Sequence, residues 1–71
     1  MVYLDARGLS CPLPLLKTKL ALKAMEKGET LDVLASDSGS FKDIPVYLEQ
    51  TEHKLLVKET QGDDYHFIIE C

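Results

Sequence analysis

The stretch Ser10-Cys11-Pro12-Leu13-Pro14 constrains the fold of this chain more than any other. Proline fits the first turn of a helix, because the amide it lacks has no intrahelical partner there, and it disrupts a helix interior. Two prolines one residue apart therefore start a helix. The leucine-, alanine- and lysine-rich run from Pro12 to about Lys27 continues it. Cys11 then sits at or beside the N-cap. Its sulfur is expected to face the positive end of the helix dipole and the free first-turn amides, which favours thiolate over thiol. Pro14 removes one donor, so the Leu13 and Leu15 amides remain for the sulfur and a moderate fall in pKa is expected.

The other elements follow from pattern. Val2–Ala6 is β-prone, and Arg7-Gly8-Leu9-Ser10 reads as a turn. Gly28 suits the C′ position of helix 1, with Lys27 at the negative end of its dipole. Glu29–Ala35 alternates around Leu31, Val33 and Ala35 and reads as a strand. Ser36 to Ser40 is a loop, and Ser40-x-x-Asp43 resembles a capping box for a helix from about Ser40 to Thr51. Pro45 is tolerable near the start of that helix but would kink one that began much earlier. Lys54–Thr60 and Tyr65–Glu70 are strands joined by Gln61-Gly62-Asp63-Asp64, with Leu55 and Val57 sharing a face of the first and Tyr65, Phe67 and Ile69 sharing a face of the second. The order β-α-β-α-β-β, with right-handed crossovers, predicts an α/β two-layer sandwich: a four-stranded mixed sheet with both helices on one face.

With 71 residues the expectation is a single domain, 1–71, built around a small core. No apolar run approaches the ~18–20 residues that span a bilayer, and no signal peptide is visible. A cytoplasmic protein without membrane contact is the expectation. Cys11 and Cys71 are too few for a disulfide framework and read as free thiols. Neither they nor His53 and His66 fall at metal-ligand spacing, so no metal and no cofactor is expected.

Charge is uneven. The formal net charge is −4, yet residues 1–27 carry +3 and residues 28–71 carry −7. Overall acidity argues against direct contact with nucleic acid. On helix 1, Leu15, Thr18, Ala21, Leu22 and Met25 share a side at 100° per residue, and Leu16, Lys19, Leu20, Lys23 and Lys27 share the other. The lysines must face water, which leaves Leu16 and Leu20 among charges, with Leu13 near the same face one turn from Cys11. Either the apolar stripe is broad, or Leu13, Leu16, Lys19, Leu20 and Lys23 form a partner-binding patch beside the thiol.

The chemistry available to Cys11 is narrow. Nothing in the sequence brings a histidine base to it, and position 14, where a thioredoxin-like resolving cysteine would stand, is proline. A single nucleophilic sulfur that accepts an atom and passes it on fits what remains, and a persulfide is such a cargo. Two other readings stay open: a non-catalytic regulatory or interaction module using the outer face of helix 1, and a thiol-redox protein in which Cys11 pairs with Cys71.

Leu4-Asp5-Ala6-Arg7-Gly8-Leu9-Ser10-Cys11-Pro12-Leu13-Pro14, then Lys19, Gly28-Glu29, Asp37, Asp43-Ile44-Pro45, and His53 with Leu55, resemble the TusA/SirA-type small sulfur-carrier family over nearly the whole chain. C-P-x-P alone is weak; L-D-x-x-G-L-x-C-P-x-P is specific. The resemblance implies a carrier that takes sulfane sulfur on Cys11 from a cysteine desulfurase or rhodanese. It would pass that sulfur to a relay or acceptor protein serving tRNA 2-thiolation, sulfur oxidation or molybdenum-cofactor enzymes. Arg7, Gly8, Pro12, Pro14, Lys19 and Asp37 are the supporting motif positions. Arg7 and Lys19 either raise the positive potential at Cys11 or are plain surface charge, and Asp37 and Asp43 are expected to cap helix 2 rather than to act in catalysis. The chain departs from the family pattern at Ser38, where proline is frequent, at Glu52, where glycine is common, and at Cys71, where a basic residue is usual.

Overall fold

A computed structural model describes residues 1–71. The elements are β1 (Val2–Ala6), α1 (Leu13–Ala24), β2 (Thr30–Ala35), α2 (Ser38–Glu49), β3 (Lys54–Gln61) and β4 (Asp64–Glu70), in the order expected. The sheet runs β1-β2-β4-β3. β1 and β2 are parallel, and β4 is antiparallel to both β2 and β3. The second crossover thus skips a place in the sheet, and the final hairpin fills it. Gly62, with φ 62°, opens the two-residue turn of that hairpin, a position where a positive φ suits the twist of the strands.

Alternation places Leu31, Val33 and Ala35 of β2 and Phe67 and Ile69 of β4 on the helix-bearing face, each fully buried. Leu22 of α1 and Ile44 and Leu48 of α2 close the core over them. Only 12 of 71 residues are buried, so each core side chain carries a large share of the apolar stabilisation.

Several boundaries differ from expectation. α1 ends at Ala24 with Met25 as C-cap, short of Lys27, so Gly28 is not its C′ residue; Gly28 lies in the turn entering β2. α2 starts at Ser38, two residues early, with Asp37 as N-cap and no side-chain cap bond, so Ser40 and Asp43 form no capping box. Ser40 is instead buried inside the helix. Pro45 becomes the eighth residue of α2, where it cannot supply the N–H that would bond the Phe41 carbonyl one turn back. In β3, Leu55 pairs with Ile69 and Val57 with Ile68. The bulge at Leu56 therefore sends Val57 to the opposite face from Leu55, against expectation. It also turns Lys58, opposite Phe67, toward the helices, where its Nζ lies 4.3 Å from the Phe41 ring centroid.

No helix is long and apolar enough to cross a membrane.

Candidate functional site

The loops following β1 and β2 leave the C-terminal ends of adjacent parallel strands, the edge at which open α/β sheets commonly build sites. Gly8 joins the two loops: its φ of 81° suits a residue without a Cβ, and its N–H donates to Ser36 Oγ at 2.8 Å. Leu13 N–H donates to the Ser10 carbonyl at 2.9 Å, closing a turn around Cys11 and Pro12. Pro12 is the N-cap of α1, and Pro14 is buried in its first turn, as the prolines required. The Cys11–Pro12 peptide bond is cis.

Cys11 is exposed and its thiol is free. Its sulfur does not use the Leu13 amide, which is committed to Ser10. The thiol donates instead to Asp43 Oδ2 of α2 at 3.3 Å. A side chain added at Gly39 would lie 3.5 Å from Cys11 Cβ, 3.8 Å from Sγ and 2.9 Å from Asp37 Oδ2, so the absence of one lets the first turn of α2 approach the cysteine. Asp37 Oδ2 is buried without a hydrogen-bond partner. The hydrogen bond to Asp43, loss of hydration and the charges of Asp43 and Asp37 together push the Cys11 pKa up. This runs against the expected lowering by the α1 dipole: the thiol is directed to a carboxylate and not to the Leu13 amide.

The expected cations are engaged elsewhere. Arg7 Nε and Nη2 donate to the two Asp5 carboxylate oxygens, both at 2.9 Å, and Nη1 stands 3.7 Å from Asp64. The pairing holds the Asp5 carboxyl down at about 2 and pushes the guanidinium up. Arg7 thus braces the end of β1. Lys19 reaches across to α2, its Nζ 4.8 Å from the Tyr47 ring centroid. Asp37 occupies the N-cap position, but its side chain does no capping. Leu13 and Leu16 are each 45% exposed and Leu20 67%; with Lys19 and the exposed Lys23 they leave an apolar, lysine-rimmed strip running from Cys11 along α1.

Cys71 lies at the other end of α1, its Sγ directed to the Leu22 and Met25 carbonyls at 3.5 and 3.9 Å. Twelve helical residues span about 18 Å, well beyond the ~7 Å Cα separation a disulfide tolerates, and both thiols are free. His66 is held by Asp32 and Glu59 on the open face of the sheet. Asp43 and Gly39 are the site residues that sequence reasoning misassigned or passed over. The only signals for them were the motif position of Asp43 and a glycine beside Asp37.

The sequence matches the family described as Sulfurtransferase TusA over residues 2–71. It is 46% identical over 66 residues to the sulfur carrier protein TusA of Allochromatium vinosum, covering 93% of this chain and 87% of that protein. It is likewise 46% identical over 63 residues to a putative sulfur carrier protein of Halobacterium salinarum, covering 89% and 78%. A putative sulfur carrier protein of Bacillus subtilis is 40% identical over 62 residues, covering 87% of this chain and 34% of that longer protein. The fold is similar to the crystal structure of a SirA-like protein of Desulfitobacterium hafniense, with a TM-score of 0.75 at 25% identity over 99% of this chain and 96% of the other.

Proposed function

Because this chain belongs to the TusA sulfurtransferase family, we propose that it carries sulfane sulfur as a persulfide on Cys11. The observation that supports this best is an exposed, unpaired thiol at the junction of the two βα loops. Carriage asks little more of a site: the sulfur must be reachable by a partner's sulfur and must be able to leave again. A donor of the cysteine desulfurase or rhodanese type presents a protein-bound persulfide. The Cys11 sulfur attacks the outer sulfur, an S–S bond forms at Cys11, and the donor's S–S bond breaks with its electron pair on the donor sulfur. The Cys11 proton ends on that sulfur, so donor persulfide and carrier thiol become donor thiol and carrier persulfide without net oxidation. Discharge to a relay or acceptor protein is the same exchange with roles reversed.

The strip of Leu13, Leu16, Lys19, Leu20 and Lys23 is the docking surface in this reading, because exposed apolar groups rimmed by charge suit a transient interface next to the sulfur. Pairing of Cys11 with Cys71 is disfavoured by the length of α1 between them. Incubation with a cysteine desulfurase, L-cysteine and pyridoxal phosphate should add about 32 Da to Cys11 by intact and peptide mass spectrometry, one sulfur atom transferred as in thiol exchange. No adduct with either donor class, or an adduct confined to Cys71, would refute the reading.

A further inference from the structure

A thiol meant for nucleophilic exchange is usually set among cations. Cys11 is set among carboxylates: Asp43 accepts its hydrogen at 3.3 Å, and the buried, unpartnered Oδ2 of Asp37 lies on the same side of Gly39 as the sulfur, the two standing 2.9 and 3.8 Å from where a Gly39 Cβ would be. Of the basic groups nearby in sequence or space, Arg7 is bound to Asp5 and Asp64, Lys19 lies over Tyr47, Lys58 lies over Phe41, and Lys42, beside Asp43 on α2, is exposed and makes no ion pair. None of these cations forms an ion pair with Asp43 or Asp37.

We propose that Asp43, with Asp37 behind it, is a masking residue that holds the Cys11 sulfur in its protonated, weakly nucleophilic form in the free protein. A neutral thiol gains a hydrogen bond to Asp43, whereas a thiolate there loses that bond and meets two carboxylates. The same pair disfavours an anionic persulfide and so raises the share of neutral hydropersulfide, whose outer sulfur is open to attack by an acceptor thiolate. The raised pKa of Cys11 agrees with this arrangement. The mask rests on the carrier reading only for its purpose. It keeps an exposed cysteine from reacting with whatever it meets, and it leaves exchange to a complex in which Asp43 is drawn away.

The test measures iodoacetamide alkylation of Cys11 in the full chain as a function of pH, with peptide mass spectrometry separating Cys11 from Cys71. The wild-type midpoint should lie above that of a free cysteine, ~8.5. Asp43→Asn should lower the midpoint and speed alkylation at about pH 7, by about three- to fourfold for each pH unit that the midpoint falls, since the thiolate fraction rises about tenfold while its nucleophilicity declines. Asp37→Asn should do the same to a smaller extent. Superimposable wild-type and Asp43→Asn profiles overturn the proposal; Asp43→Ser provides the same comparison should the Asn variant not fold. Glutathione hydropersulfide, which transfers one sulfur to Cys11 and departs as glutathione, should load Asp43→Asn faster than wild type at about pH 7, and equal rates likewise overturn the mask. Failure of wild type to take sulfur from any donor, beside alkylation profiles that differ as expected, would refute carriage while upholding the mask.

Discussion

His66 Nε2 stands 2.7 Å from Asp32 Oδ1 on the open face of the sheet, while its Nδ1 stands 2.9 Å from Glu59 Oε1. A neutral imidazole has one N–H and can serve one carboxylate; the imidazolium serves both. The bond to Glu59, joined by that to Asp32, raises the His66 pKa against the opposing effect of burial, and Glu59 is correspondingly lowered. β3, β4 and β2 are thereby clamped across their outer face. The His66 contribution to stability is complete below the unfolded-state pKa, ~6.5, and is lost as pH rises through the higher folded value. Urea unfolding should show wild type losing about 1 kcal/mol relative to His66→Gln over that rise. A wild-type-minus-variant difference that does not change with pH would contradict the clamp.

Gly39→Ala tests the close approach of α2 to the cysteine. The new Cβ would meet Asp37 Oδ2 at 2.9 Å and crowd Cys11 on the same side. Asp37 must move, and the expected cost is about 1 kcal/mol in thermal or urea unfolding. Sulfur loading of Cys11, followed by intact mass, should slow even where the variant is fully folded. Unchanged loading would show that the flank beside Gly39 is not used.

Leu20 and Leu22 occupy the same helix with opposite fates, 67% exposed and 3% exposed. Leu20→Glu should leave stability within about 0.5 kcal/mol of wild type while weakening sulfur transfer from a protein donor. Leu22→Ala should cost about 2–4 kcal/mol. Transfer kinetics indifferent to Leu20→Glu would remove α1 from the docking surface.

Phe67 is the largest fully buried side chain and touches both layers of the sandwich, with the Phe41 ring 6.2 Å away. Truncation to Ala should cost about 3–5 kcal/mol, a large part of the total stability of a chain this size. Circular dichroism should find Phe67→Ala mostly unfolded near 37 °C. A cooperative transition close to that of wild type would mean that the core collapses around the gap.

What could be read from the sequence was what local pattern encodes. β1 has the expected bounds, the alternation of Leu31, Val33 and Ala35 gives the buried face, and the two prolines mark the start of α1. Leu56 defeated the reading of β3 because a bulge inserts one residue into the alternation without a local marker such as glycine. The site was legible only in part, and for a related reason. Cys11 stands out by its prolines, but the group that governs it is 32 residues away. Asp43 looks like a capping residue until α2 is found to start at Ser38, two residues earlier. That earlier start takes Asp43 away from the helix end and turns it to the sulfur. Arg7 misleads in the opposite sense, because its sequence neighbour Asp5 claims it first.

The separation between Cys11 and Asp43 also orders events during synthesis. The cysteine leaves the ribosome with β1 and α1, well before the segment that carries its hydrogen-bond acceptor. Until α2 docks, the nascent chain displays a thiol of ordinary acidity. The quiet thiol belongs to the finished tertiary structure, and a chain whose second crossover has come loose displays a livelier one.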